Sequence, residues 1–120
     1  MDWMISSARP IWLQLKEQIA VGIVTGEYPS GSRLPSVRDL AMKAGVNPNT
    51  MQRALTELER DGLAQSMGTT GRVVTEDQEK INQLRKSFAQ DLIKQYLVGM
   101  ERLGFSAREA YQEMEEWINA

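Results

Sequence analysis

Apolar side chains recur at intervals of three and four residues along several stretches of the chain, which is the spacing of amphipathic helices. The first stretch begins at Pro10, whose missing N–H leaves no hydrogen bond unmade at the first helical position, and ends at Gly26. We predict a helix of about four turns here. Its predicted buried stripe consists of Ile11, Trp12, Leu15, Ile19 and Ile23. On this pattern Trp12 belongs to the core and is not a stacking platform.

Two shorter helices are predicted next, separated by a tight turn. The second helix begins with Ser36 as a capping residue and stops at Gly45. Asn47 suits the N-cap of the third helix and Pro48 its first residue, and that helix continues to about Arg60. Two helices joined in this way form the helix-turn-helix pattern.

Two short strands are predicted after the third helix, at residues 63–66 and 72–75. The sequence Gly-Thr-Thr-Gly at 68–71 lies between them and suits the tip of a hairpin. A hairpin directly after a helix-turn-helix is a wing. The predicted fold is therefore mainly α with a small β-hairpin: a winged helix-turn-helix domain over residues 10–75 and a two-helix tail over residues 76–120.

The tail carries more large apolar side chains than two helices can bury between themselves. The residues on its predicted stripes are Ile81, Leu84, Phe88, Leu92, Tyr96, Met114, Trp117 and Ile118. Two tails together can bury such stripes in one compact helical interface. We therefore predict that these residues form a dimerisation surface and that the chain is a homodimer.

The composition disfavours catalysis and metal binding. The 120 residues include neither histidine nor cysteine, so the commonest general base, the commonest transition-metal ligand and any thiol nucleophile are missing. We expect no enzyme activity, no catalytic residue, no metal and no cofactor. No stretch approaches the roughly 18 apolar residues of a membrane span, and the first residues lack the pattern of a signal peptide. We expect a cytoplasmic protein without a membrane partner.

The charge balance allows a nucleic-acid partner without requiring one. The net charge is −2, but residues 33–72 carry six basic against four acidic side chains. Binding to phosphates depends on one basic face and not on the sum over the chain.

Four consecutive segments resemble the N-terminal domain of the GntR family of bacterial regulators: PIWLQL from residue 10, GEYPSGSRLPSVRDLA from residue 26, GVNPNTMQRAL from residue 45 and LERDGL from residue 58. The resemblance covers residues 10–75 and implies a transcriptional regulator that binds double-stranded DNA. The tail is too short for the effector-binding or aminotransferase-like domain of most members. It resembles that of the YtrA-type subgroup, whose tail helices dimerise the protein and whose members often repress transporter operons.

The resemblance also implies which residues contact DNA. The candidates are Arg33, Ser36, Arg38, Asn47, Asn49, Thr50, Gln52, Arg53, Thr69, Thr70 and Arg72. The amides of Asn49 and Gln52 suit paired hydrogen bonds to adenine. By its position in the family pattern, Arg38 is the strongest phosphate or base ligand. Ser36 combines capping with a phosphate contact, whereas Asn47 suits a structural cap better than a ligand.

Four points stay open at the level of sequence. Arg53 suits either a guanine or a phosphate. Family wings usually carry a basic residue on the first strand, but Met67 stands there, so a charged wing contact rests on Arg72. The alternative function is a winged helix that binds protein or RNA without operator specificity. A small-molecule effector at the dimer interface would be a further partner, but no polar cluster indicates its pocket or its identity.

Overall fold

The computed structural model describes all residues from 1 to 120, as five helices and one antiparallel hairpin. The helices are α1 (Ile11–Thr25), α2 (Val37–Ala44), α3 (Pro48–Arg60), α4 (Gln78–Arg102) and α5 (Ala107–Asn119), and the strands are β1 (Ala64–Ser66) and β2 (Arg72–Val74). The predicted fold class is confirmed. The chain divides into two compact units, residues 1–84 and residues 85–120. None of the helices combines the length and the apolar character needed to cross a membrane.

Helix α3 is held along one face by α1 and α2. Its predicted stripe is fully buried: Met51, Ala54, Leu55 and Leu58 each have 0% exposure. Leu15 and Ile19 of α1 and Leu40 of α2 complete this core. Burying a side chain of this size stabilises a fold by about 1.5–3 kcal/mol. The opposite face of α3 is thereby left free for other contacts.

The predicted stripe of α1 is correct in its middle and wrong at its beginning. Leu15, Ile19 and Ile23 are buried, but Ile11 is 42% exposed and Trp12 is only half-buried. Pro10 is the N-cap and not the first helical residue, with φ −53° and ψ 132°.

Local side-chain caps set the start of α2 and of α3. The Oγ of Ser36 accepts a hydrogen bond from the backbone N–H of Asp39 at 3.1 Å, and the Oδ1 of Asn47 accepts one from the N–H of Asn49 at 2.7 Å. Both caps satisfy donors that the first helical turn leaves without a partner. Gly45 ends α2 with φ +70°, a left-handed conformation that glycine adopts without strain.

The hairpin is fastened to the link between α1 and α2. Ala64 pairs with Val74 and Ser66 with Arg72, and a 3₁₀ turn over Gly68–Thr70 forms the tip. The N–H of Leu34 donates to the carbonyl of Arg72 at 2.9 Å, so the link adds a short third edge to the hairpin. Each observed strand is one residue shorter than predicted.

Two glutamine side chains of α1 hold the N-terminal segment, which the sequence pattern did not predict. The amide of Gln18 exchanges hydrogen bonds with both backbone groups of Met4, at 3.0 and 2.7 Å. The amide of Gln14 does the same with Ser6, at 2.9 and 2.8 Å. Gln14 is 7% exposed and has all its polar atoms paired. The two amides are one helical turn apart, and each pairs with the N–H and the carbonyl of one residue of the N-terminal segment, as a neighbouring strand would.

The first two turns of α4 belong to the first compact unit. Lys80 donates to the carbonyl of Asp61 at 3.3 Å, at the end of α3, and Ile81 is 7% exposed. Ile81 was expected in the dimer interface, and this expectation is wrong because its side chain is already buried within one chain. Leu84 is half-buried.

In the second unit, α4 and α5 form the predicted two-helix tail. The turn between them ends in a complete capping box, in which Ser106 and Glu109 exchange hydrogen bonds at 2.9 and 3.1 Å. The hydrogen bond from the backbone N–H of Ser106 to the carboxylate, with a further contribution from the Ser106 side chain, lowers the pKa of Glu109. The hydroxyl of Tyr96 donates to the carbonyl of Ala110 at 2.7 Å and ties the two helices together.

Candidate nucleic-acid interface

The basic side chains of residues 1–75 fall into two groups. Four of the eight are paired with a carboxylate: Arg9 with Glu17, Lys16 with Asp61, Arg60 with Glu57 and Arg72 with Glu59. The other four are exposed and have no carboxylate within 4.0 Å: Arg33, Arg38, Lys43 and Arg53. The unpaired charges all lie between the link after α1 and the middle of α3. Within residues 1–75 the unpaired positive charge is therefore concentrated there, although the net charge of the chain is −2.

The free face of α3 carries polar side chains that suit base edges. Asn49, Gln52 and Arg53 are all exposed. At about 100° per residue they lie on the side opposite Met51 and Leu58, which are buried. The Nε2 of Gln52 donates to the hydroxyl of Thr56 at 3.4 Å, a long contact that a stronger acceptor can replace. A helix of this diameter fits the major groove of B-DNA.

The two capping residues are partly occupied. The side-chain oxygen of Asn47 accepts the capping bond of α3, which leaves its NH₂ group for a further partner. The oxygen of Ser36 caps α2, and its hydroxyl proton has no acceptor in the chain. Thr50 is half-buried, and its N–H bonds to the carbonyl of Asn47 at 3.0 Å. The predicted capping roles of Ser36 and Asn47 are confirmed.

Glu59 of α3 fixes the wing. Its Oε1 lies 3.2 Å from the Nε of Arg72, and it also accepts a hydrogen bond from Ser66 on the other strand. The side chains of Arg72 and Glu59 are 18% and 25% exposed. A DNA contact by Arg72 stays a prediction. It requires either that Arg72 leaves Glu59 or that its other N–H groups bind DNA while Nε stays with Glu59. The sequence pattern did not reveal the pair.

The tip of the wing carries no other charge. Thr69 and Thr70 are exposed within the 3₁₀ turn, and Met67 beside it is 49% exposed. Their hydroxyls remain available to hydrogen-bond acceptors or donors. In the link before α2, the guanidinium of Arg33 lies over Gly71, where an added Cβ would be 3.4 Å from its Nε.

Trp12 is only half-buried and its ring stacks with a cation of α3, so the expectation that it belongs to the core is wrong. The Cζ of Arg53 lies 4.2 Å from the centre of the Trp12 ring. Since Trp12 lies near the start of α1, at the edge of the core, one face of its ring is available to a side chain of α3. The cation covers that face.

A second surface lies on the tail. The predicted dimer residues Leu92, Trp117 and Ile118 are 65%, 83% and 69% exposed, and Met114 is 39% exposed. Phe88 and Tyr96 are half-buried. The sequence pattern missed further exposed apolar residues of the tail: Ile93 and Val98 on α4, Leu103 in the turn after it and Tyr111 on α5. A groove of about 590 Å³ between α4 and α5 is lined almost entirely by apolar atoms, including those of Leu92, Ile93 and Met114.

A family model described as "Bacterial regulatory proteins, gntR family" matches residues 12–74, which is more than half of the chain. The chain belongs to the GntR family. It is 34% identical over 109 residues to the HTH-type transcriptional regulator YhcF of Bacillus subtilis, covering 91% of this chain and 90% of that protein. It is 29% identical over 118 residues to the HTH-type transcriptional repressor YtrA of the same organism, covering 93% and 84%.

The fold agrees with this assignment. The structure of a GntR family transcriptional regulator from Listeria monocytogenes superposes with a TM-score of 0.82 at 36% identity, over 96% of this chain and 97% of that one. This GntR-family chain is a DNA-binding transcriptional regulator, and its relatives are regulators and not enzymes. The resemblance seen in the sequence is confirmed.

Proposed function

We propose that the chain is a repressor that binds a palindromic operator as a homodimer, with α3 in the major groove. The observation that carries this proposal is the distribution of basic residues within positions 1–75: those between residues 33 and 53 have no carboxylate within 4.0 Å, whereas the other four are paired. Free cations on an exposed helix pair bind phosphates and release counterions. The name of the related YtrA supports a repressor.

In this proposal the contacts divide by chemistry. Asn49 and Gln52 read base edges, as paired amide hydrogen bonds to adenine allow. Phosphates are bound by the remaining candidates: Arg33, Ser36, Arg38, Asn47, Thr50, Arg53, Thr69, Thr70 and Arg72. The protein acts in the cytoplasm of a bacterium. Resemblance to the YtrA-type subgroup makes a transporter operon the first candidate for the regulated genes.

The tail surface supports the dimer in this proposal. Trp117 and Ile118 are among the most exposed large apolar residues in the chain, and they lie on the helices whose groove is apolar. Exposed apolar patches of this kind indicate an interaction site. A second copy supplies a matching patch, and two-fold symmetry then matches a palindromic operator with half-sites about one DNA turn apart.

Fluorescence anisotropy with the DNA upstream of its own gene tests the DNA part. We expect tight, salt-sensitive binding to this DNA and weaker binding to a scrambled sequence. Arg38→Ala should weaken binding to both DNAs and lower the salt slope by about 0.9, as loss of one phosphate contact does. Gln52→Ala should weaken binding to the promoter alone. Arg9→Ala is the matched control, since it removes an exposed arginine that Glu17 already pairs. Equal affinity of the native chain for both DNAs would contradict the operator.

Sedimentation equilibrium tests the dimer. Leu92→Asp or Trp117→Asp should convert the full chain to a monomer, because each places a carboxylate in the apolar surface. Val21→Asp is the control: Val21 is 45% exposed on α1, and its substitution should leave the dimer intact. A chain that stays dimeric with both tail substitutions together would show that the interface lies elsewhere.

A further inference from the structure

Arg53 and Trp12 come from different helices and meet face to face. Trp12 lies in the first turn of α1 and Arg53 in the second turn of α3. The guanidinium carbon of Arg53 is 4.2 Å from the ring centre, which is well within the range of a cation–π contact. Arg53 is exposed and has no carboxylate within 4.0 Å. The aromatic ring is therefore the only group that orients this cation.

Stacking leaves the hydrogen-bonding capacity of the guanidinium unused. The N–H donors of arginine lie in the plane of the group and point outward from its edge. A ring beneath that plane covers one face but blocks none of the edge donors. By contrast, a carboxylate partner occupies donors, as Glu59 does with the Nε of Arg72.

The position of Arg53 indicates what it binds. At about 100° per residue it lies about 40° around α3 from Asn49, and about 120° from Glu59, which fixes the wing. Arg53 is thus beside the base-reading residues, on the flank of α3 away from the wing. On this flank a helix in the major groove meets the phosphate backbone at the groove edge.

We propose that Trp12 is a positioning residue for DNA recognition: its ring holds the Arg53 guanidinium at the edge of α3, ready for a phosphate, without itself touching DNA. This rests on the proposed function of the α3 face. A free arginine loses rotamer freedom when it binds, and a stacked arginine has lost part of that freedom already. The strength of an exposed cation–π contact limits the gain from this preorganisation to about two- to five-fold in affinity.

A double-mutant cycle on the full chain measures this coupling. Trp12→Leu should weaken DNA binding about two- to five-fold when Arg53 is present, and should have no effect in the Arg53→Ala background. Arg53→Ala should also lower the salt slope by about one, whereas Trp12→Leu should leave the slope unchanged because the charge remains. Trp12→Phe should retain most of the affinity, since it keeps an aromatic face.

Two controls separate positioning from folding. Trp3→Leu removes another half-buried tryptophan of the same unit, one with no cation over its ring, and should leave affinity unchanged. In the DNA-free native chain, the Nε–H and Cδ protons of Arg53 should be shifted upfield in the NMR spectrum by the ring current. Because this shift is measured in the native chain, it tests the contact even if Trp12→Leu fails to fold.

The outcomes decide the proposal in each case. Equal losses from Trp12→Leu with and without Arg53, or the absence of an upfield shift in the native chain, would overturn it. A phosphate contact does not depend on sequence, so the coupling should be the same on promoter and scrambled DNA. If the native chain does not prefer its promoter, the operator proposal is overturned. The double-mutant cycle still decides in that case whether Trp12 positions Arg53.

Discussion

Glu59 joins α3 to both strands of the wing through its side chain. Its carboxylate accepts from Arg72 and from Ser66, which lie on the two strands of the hairpin. Glu59→Ala removes both contacts and leaves the Arg72 guanidinium largely buried, at 18% exposure, without its partner. A hydrogen bond to a charged group contributes about 1.5–3 kcal/mol, and water that reaches the partly open site returns some of this.

We therefore expect Glu59→Ala to lower the free energy of unfolding by about 1–2 kcal/mol. For a unit of this size, that corresponds to a fall in Tm of roughly 5–10 °C. Thermal unfolding of the full chain, followed by circular dichroism, measures this change.

The matched control is Glu57→Ala, on the same helix. Glu57 pairs with Arg60, whose side chain is 72% exposed, so the loss should be within about 0–1 kcal/mol. Equal loss from the two substitutions, or no loss from Glu59→Ala, would refute the reasoning that the partly buried pair fixes the wing.

Three further predictions concern the core, the turn and the tail. Leu55→Ala, at a position with 0% exposure, should cost about 2–5 kcal/mol in denaturant unfolding, and an unchanged midpoint would contradict the close packing of α3. Gly45→Ala should cost about 1–2 kcal/mol in the same assay from backbone strain alone, since φ is +70° and no atom lies within 4 Å of the added Cβ; unchanged stability would show that the turn relaxes. The pKa of Glu109 is lowered in the folded chain, so its stabilisation of α5 is present above the unfolded pKa and is lost as pH falls through the folded pKa. Acid titration of the α5 amide signals should show this loss in the native chain and not in Glu109→Gln; the same acid response in both would contradict it.

The starts of α2, α3 and α5 could be predicted because their signals are local. Ser36, Asn47 and Ser106 each bond to a backbone group two or three residues away, so the residue type and the spacing carry the information. The same holds for Gly45, where the chain needs a positive φ. Together with the apolar stripe of α3, these signals define the helix-turn-helix without tertiary information.

The sequence could not reveal contacts between elements. Arg72 looks like a free wing cation until the fold brings Glu59 beside it, and Trp12 looks like core until Arg53 is seen above it. Ile81 continues the stripe of the tail in sequence, yet it packs in the first unit. The pattern along the chain indicates which side of an element a residue lies on. Which residue of another element it contacts there depends on tertiary packing.

One missed feature did leave a signal. Gln14 lies next to Leu15 on the buried side of α1, where a polar side chain requires partners. Gln18 follows one turn later. Two amides on one helix face, with an extended segment preceding the helix, indicate side chains that bond to backbone.

The most direct test of the central claim is an NMR titration of the full chain with the DNA upstream of its own gene. Binding through α2 and α3 predicts that the largest amide shifts fall at residues 36–38 and 49–53, with small changes in α5. The largest shifts confined to α4 and α5, with the amides of α3 unmoved, would contradict the claim that this surface reads DNA.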